Sequence, residues 1–350
     1  MHNWSTALGP LYTAIGSTPH HNVDSALECS FQWSIPFLPQ IPVRNPKEFM
    51  IYQALEGMPG LQLEDKGQVT LDRNVWLEKA GTLTEKLEEA FRSNDSSLFY
   101  CFEPSADSYN CWKPFLWELQ ERHIGHAKIQ IAGPMTSQWV LRLQDGTPAD
   151  KYVEISMQIF RLVLAKTIAM VRRLKAIGVT PLLYIDEPSL YCFSSHLPRH
   201  LMGLQELKVF IQSLKKEGAI VGLHCCSNTD WGAVLSLGLD VFSIDAKLSL
   251  HSILQHKGAL LKFLQQGGRL SLGVVPTDEG GAGIASFDPE AAVQAIQRSF
   301  QKAEFPIETT TSILHSSIYT PVCGLALHRI EEIEPILAHT RRAAELAHLR

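Results

Sequence analysis

The sequence predicts an α/β fold, a (β/α)8 barrel formed as a single domain over residues 1–350 with an insertion after the second strand. Three observations predict it. Helical segments repeatedly end at a glycine and a β-rich run follows. Gly178 precedes Leu182-Leu183-Tyr184-Ile185, Gly218 precedes Ile220-Val221, and Gly238 precedes Val241-Phe242-Ser243-Ile244. Glycine tolerates the left-handed backbone that closes a helix, which explains its place at these junctions. The runs are continuously apolar rather than alternating, as parallel strands covered on both faces are. Eight such runs occur along the chain, enough to close a barrel.

In chain order the strands are expected at residues 12–16, 35–38, 128–132, 182–185, 220–223, 241–244, 270–274 and 313–316. Between them the helices carry apolar stripes: Val153, Met157, Phe160, Leu164, Ile168 and Val171 on one, Leu204, Leu207, Ile211 and Leu214 on the next. Asp288-Pro289 reads as a helix start, with aspartate as cap and proline in the first turn. Residues 60–105 depart from this rhythm and read as an inserted subregion. It is expected to hold a hairpin near Gln68-Val69-Thr70, a helix over 85–92 and an extra strand at Leu98-Phe99-Tyr100. A doubly wound open sheet is the alternative, but no Gly-x-Gly-x-x-Gly turn follows the first strand.

Composition narrows the function. The 350 residues are 45% hydrophobic and 19% charged, with a net charge of -5, which suits a soluble globular protein and gives no basic stripe for nucleic acid. The stretch from Ile159 to Val171 is interrupted by Arg161 and Lys166, so no membrane span is expected. Met1-His2-Asn3-Trp4-Ser5 shows no basic segment leading into an apolar one, and the seven cysteines are scattered and odd in number. A reducing, cytoplasmic setting is expected, without a disulfide framework.

Barrel chemistry is built on loops at the carboxyl ends of strands, and the unusual motifs fall there. Ile15-Gly16-Ser17 follows the first strand, Gly133-Pro134-Met135-Thr136 the third, Asp186-Glu187-Pro188 the fourth, His224-Cys225-Cys226 the fifth, Asp245 the sixth, and Thr320-Pro321-Val322-Cys323-Gly324 the eighth. His224 and Cys226 are two apart in an extended run and share a face, with Cys225 on the other. With Cys323 they form a nitrogen and two-sulfur set of the kind zinc favours. Cys29 and Cys192 read as small apolar residues without a role. Asp186 and Glu187 follow a buried apolar run, so one carboxylate is expected to face the mouth.

Together these motifs resemble the catalytic barrel of cobalamin-independent methionine synthase, in the superfamily that also holds uroporphyrinogen decarboxylase and corrinoid-dependent thiol methyltransferases. Ile15-Gly16-Ser17, Gly133-Pro134-Met135-Thr136, Ile185-Asp186-Glu187-Pro188-Ser189-Leu190, His224-x-Cys226 and Cys323-Gly324-Leu325 carry the resemblance, from residue 15 to 325. It implies a zinc-dependent S-methyltransferase that makes methionine from homocysteine, with methyltetrahydrofolate or a methyl-corrinoid (free or on a corrinoid protein) as donor. It also implies that Ser17, with Gly16, contacts the homocysteine carboxylate and that Asp186 holds its amino group, supported by Glu187. His224, Cys226 and Cys323 would ligate zinc, with Asp245 or water completing the set. The sequence departs from the family in four places. There is room for one barrel rather than two, and Asp245 stands where the family has glutamate. Val274-Val275-Pro276-Thr277 replaces a loop histidine tied to the folate step. Trp139 lies one position away from the family's tryptophan after Gly-Pro-Val-Thr. The alternatives are a metal-free enzyme like uroporphyrinogen decarboxylase, a corrinoid-dependent transferase acting on another thiol, and a non-catalytic zinc-bound barrel.

Overall fold

A computed structural model describes residues 9–64, 67–93, 95–278 and 280–349, so the Met1-His2-Asn3-Trp4-Ser5 opening lies outside the described residues. Its centre is a curled parallel sheet. Seven strands lie in the spatial order Leu11–Tyr12, Ile318–Pro321, Arg269–Val275, Val241–Asp245, Ile220–Cys225, Thr180–Asp186 and His126–Ala132, every neighbouring pair parallel. Helices join them, among them Val153–Ala176 and Pro198–Lys216. The expected junction glycines take left-handed backbone, with φ of +80° at Gly178 and +88° at Gly218.

The expected second strand is not formed as a strand. Residues 35–40 hold two prolines, Pro36 and Pro39, which have no N–H to give to a ladder. The segment still bonds on both sides. Ile35 N donates to Tyr12 O (3.1 Å) and Gln40 N to Gly16 O (3.0 Å), while Leu38 N donates to Lys128 O (2.8 Å). Thus the irregular segment links the two edge strands of the sheet.

Two further expectations are corrected. Residues 313–316 end the helix Ile307–Ser316, and the strand follows at Ile318–Pro321, where the β-branched and aromatic residues are. Leu98-Phe99-Tyr100 lies in a 3-10 helix, Ser96–Phe102, started by the Asp95 side chain accepting from Ser97 N. The rest of the inserted subregion follows the expectation. Leu61–Leu63 pairs antiparallel with Val69–Leu71, and the helix is longer than expected, Arg73–Arg92, because Asp72 caps it. Asp288 likewise caps Pro289–Lys302.

Alternation along each strand sorts the side chains into two sets. The outward set packs under the helices: Leu183, Ile185, Val221, Leu223, Phe242, Ile244, Leu270 and Leu272 belong to the main core. The inward set forms its own small cluster of Leu11, Ile35, Leu182, Tyr184, Ile220, Val241 and Ile318. The inner face also carries buried polar side chains, Lys128, Gln130, Asp186, His224, Ser243 and Ser271. No described helix is long and apolar enough to cross a membrane.

Tyr184 lies across the inner face on Gly222, its register partner; a Cβ on Gly222 would stand 2.8 Å from Tyr184 Cδ1 and 3.2 Å from Val241 Cβ. Both neighbours are fully enclosed, so Gly222→Ala is expected to destabilise the fold by about 1–3 kcal/mol through overpacking, read from chemical denaturation midpoints.

Candidate metal centre

His224 reaches its place because the run Ile220–Cys225 is buried on both faces and its alternation turns residue 224 inward. One register row crosses the sheet here: Asp186 pairs with His224, and His224 pairs with Ser243. Ser243 Oγ lies 3.0 Å from His224 Nδ1, while Nε2 is buried without a hydrogen-bond partner. Cys226 follows on the same side, and Cys323 comes in from the loop after Ile318–Pro321. The ligand atoms of His224, Cys226 and Cys323 all lie within 4.8 Å of one another, a grouping that could hold a metal ion. The neighbouring Cys226 thiol, and then His224, hold the Cys323 thiol well below the usual thiol range, at about 4, and the closeness of Cys323 pushes Cys226 up. Cys225 points to the other face, buried, with Sγ 3.3 Å from Ser227 O.

The group opens into a cleft of about 280 Å³ at the carboxyl ends of the strands. Ser17, Asp186 and Glu48 line it beside the three ligands, with Phe49, Met50 and Leu327 giving an apolar wall. Asp186 is 8% exposed, and its Oδ1 has no hydrogen-bond partner. Burial pushes its carboxyl up to about 6, against the opposing pull of His224 and Lys128.

Glu187 turns elsewhere. Its carboxylate accepts from Met135 N (3.0 Å), Thr136 N (2.7 Å) and Thr136 Oγ1 (2.7 Å), closing the start of the helix Pro134–Val140. Gly133 makes room for it, since a Cβ there would meet Glu187 Oε1 at 2.1 Å. The Gly-Pro-Met-Thr and Asp-Glu-Pro motifs therefore bind each other, and Glu187 does not line the cleft. Burial raises its carboxyl to about 7 despite those three donors.

Two other expected site residues stand apart from the cluster. Asp245 Oδ1 accepts from Lys247 N (2.8 Å) and Leu248 N (3.0 Å), capping the helix Ala246–Leu254, and it is not among the converging ligand atoms. Trp139 does not line the cleft; its ring packs 4.5 Å from that of His200. Ser17 lines the cleft, while Gly16, between the lining residues Ile15 and Ser17, does not. Ser17 O accepts from Leu325 N (2.8 Å), and Gly324 gives Ser17 Oγ its space, a Cβ there coming within 2.2 Å.

Sequence reading missed Ser243, Glu48 and Lys128. Ser243 had a signal, a polar residue set between Val241, Phe242 and Ile244. So had Lys128, a charge inside the buried run His126–Ala132. Glu48 Oε2 accepts from Ile41 N (2.6 Å) and Oε1 from Asn110 N (2.9 Å), pairings between distant loops that no local pattern reveals.

No family model matches the chain, and no curated protein matches it. Among solved structures it is similar to a methyltransferase from Methanosarcina mazei, with a TM-score of 0.56 and 14% identity over 95% of this chain and 94% of that one. At that identity the likeness is one of fold.

Ser243→Ala is expected to weaken the affinity of this group for any metal it holds about 10–100-fold, by releasing the ring that presents Nε2, in competition titrations against a chromophoric chelator. Glu187 gives a pH signature. Its carboxyl is raised in the fold, so the stability it contributes is full below its unfolded value near 4.5 and is lost as pH rises through about 7. Glu187→Gln is expected to flatten that fall when thermal midpoints of both proteins are compared from about pH 4 to about pH 8.

Proposed function

We propose that this protein is a zinc-dependent thiol methyltransferase that transfers a methyl group to the sulfur of homocysteine, giving methionine. The reading rests above all on the convergence of one imidazole nitrogen and two thiols at a strand-end cleft, beside a buried carboxylate with an unpartnered oxygen.

The residues fit zinc. His224 Nε2 is a buried donor without a partner, and with Nδ1 protonated toward the Ser243 hydroxyl its lone pair is free to ligate. Two nearby thiols, one already held toward thiolate, complete a borderline-soft set. When bound, zinc supplies a Lewis acid that lets a substrate thiol lose its proton at neutral pH.

The chain's own residues bind and orient the acceptor. Asp186, which lines the cleft, takes the substrate ammonium on its carboxylate, and the Ser17 hydroxyl takes the substrate's carboxylate. Phe49 and Met50 give the cleft an apolar side against which the methylene chain of the acceptor packs. Methyltetrahydrofolate and a methyl-corrinoid are the donors that the sequence resemblance implies.

Purified wild-type protein is expected to carry about one zinc per chain, and Cys226→Ser and Cys323→Ser far less, by metal analysis. Zinc-free protein after metal supplementation would sink the reading. Asp186→Asn is expected to keep its zinc and lose about tenfold or more in homocysteine affinity by isothermal titration, the loss of one charge-assisted contact. Mass spectrometry for methionine, with each donor in turn, then tests turnover.

A further inference from the structure

We propose that Lys128 is a positioning residue for the acceptor end of the cleft, its buried ammonium fixing the Ile15-Gly16-Ser17 turn. The proposal rests on the reading above that Ser17 and Asp186 hold the substrate.

Lys128 is fully buried on the inner face of the sheet and does not line the cleft. Burial pushes its amine down to about 7 while the Asp186 carboxylate pulls the other way, so a charge there is costly unless every donor is used. Lys128 Nζ donates to Ile15 O (2.5 Å) and to Gln130 Oε1 (2.9 Å), and it lies 4.6 Å from the centroid of the Tyr184 ring. An ammonium has three N–H groups, and a carbonyl, an amide oxygen and a ring face accommodate them.

Gln130 extends the hold. With its oxygen committed to Lys128, its Nε2 donates to Leu38 O (2.9 Å). Gly16 rests on the same amide, with φ of +150° and no space for a Cβ, which would come 2.3 Å from Gln130 Nε2. The two pinned segments bond each other through Gln40 N to Gly16 O (3.0 Å) and Thr18 N to Gln40 O (2.8 Å). Ile15, Ser17 and Gln40 then form one side of the cleft. A path of direct contacts thus runs from the ammonium to the serine that faces the substrate. A neutral side chain of equal length offers Ile15 O and Gln130 no such donor.

The test is homocysteine titration into zinc-loaded Lys128→Met, Gly16→Ala and Lys166→Met. Gly16→Ala displaces the same turn from its other side and keeps the buried charge. Lys166 is the control for losing a buried lysine: it is equally enclosed, but ties its helix to Gln53 O (2.8 Å) and Glu56 (3.0 Å), outside the cleft lining. Lys128→Met and Gly16→Ala are expected to weaken homocysteine binding about tenfold or more with zinc stoichiometry unchanged, and to raise KM far more than they lower kcat. Lys166→Met is expected to lower the melting temperature and leave homocysteine affinity alone. A folded, zinc-bound Lys128→Met with wild-type affinity overturns the proposal. Should that variant not fold, wild-type affinity in Gly16→Ala overturns it equally. Wild-type protein that binds zinc but no homocysteine overturns the acceptor reading itself, and this inference with it.

Discussion

The ammonium of Lys128 inside the sheet is the interaction on which the rest of this structure depends. An apolar interior would be simpler to stabilise, because burying an ion costs several kcal/mol before its partners offset it. Here the partners are Ile15 O, Gln130 and the face of Tyr184, with the Asp186 carboxylate as the opposing charge. Tyr184 needs the bare Gly222 to lie flat, and Gln130 needs the bare Gly16. Replacing any one of these residues leaves a polar group unsatisfied or a side chain overlapped. The inner face is therefore tightly specified, while the outer face, apolar under helices, has the looser requirement of volume and shape.

At the rim the same logic is applied to loops. Glu187 binds the start of the next strand-end helix through three donors, so the Asp186 turn and the Gly133 turn are one unit. Leu325 N on Ser17 O joins the Cys323-Gly324 loop to the first strand's turn. His328 ties that loop onward, Nδ1 2.9 Å from Glu332 and Nε2 3.1 Å from Thr277 O. Segments far apart in the sequence are fixed by hydrogen bonds to backbone groups rather than by packing alone. Backbone contacts of this kind suit a centre whose ligands come from two distant segments, since loop motion would spread the ligand atoms.

The fold was largely legible because a parallel sheet covered on both faces writes itself as apolar runs closed by glycine. The misreadings have physical causes. Residues 35–38 look like a strand by composition, but Pro36 and Pro39 remove the N–H groups a ladder needs. Ile313-Leu314 is too short an apolar pair to show whether its period is helical or extended. In the site, His224, Cys226 and Cys323 were legible from residue type and strand parity, and the cleft brings them together. Glu187 was not, because neighbouring carboxylates look alike in sequence and only the donors around them distinguish one facing a cleft from one capping a helix. Ser243 shows in the sequence as a polar residue in an apolar run, but its role needs the strand register, since it acts by standing beside His224.

The position of Asp245 bears on what kind of centre this is. A structural zinc site is closed by four protein ligands, whereas a catalytic one keeps a position for substrate. Asp245 is already engaged by two backbone N–H groups at 2.8 and 3.0 Å, and a cap of this kind contributes about 1 kcal/mol to its helix. Ligation by this carboxylate would have to break that cap or share its oxygens. The three converging groups have no such competing hydrogen-bonded duty to a helix end, and the space beside them is the cleft bordered by Asp186 and Ser17. A fourth ligand taken from the cleft rather than from Asp245 leaves the helix cap intact and puts the exchangeable position where an amino-acid thiol can be held by its charged end. Within the proposed methyl transfer, an Asp245 kept at its helix cap leaves the fourth position to the substrate rather than to the protein.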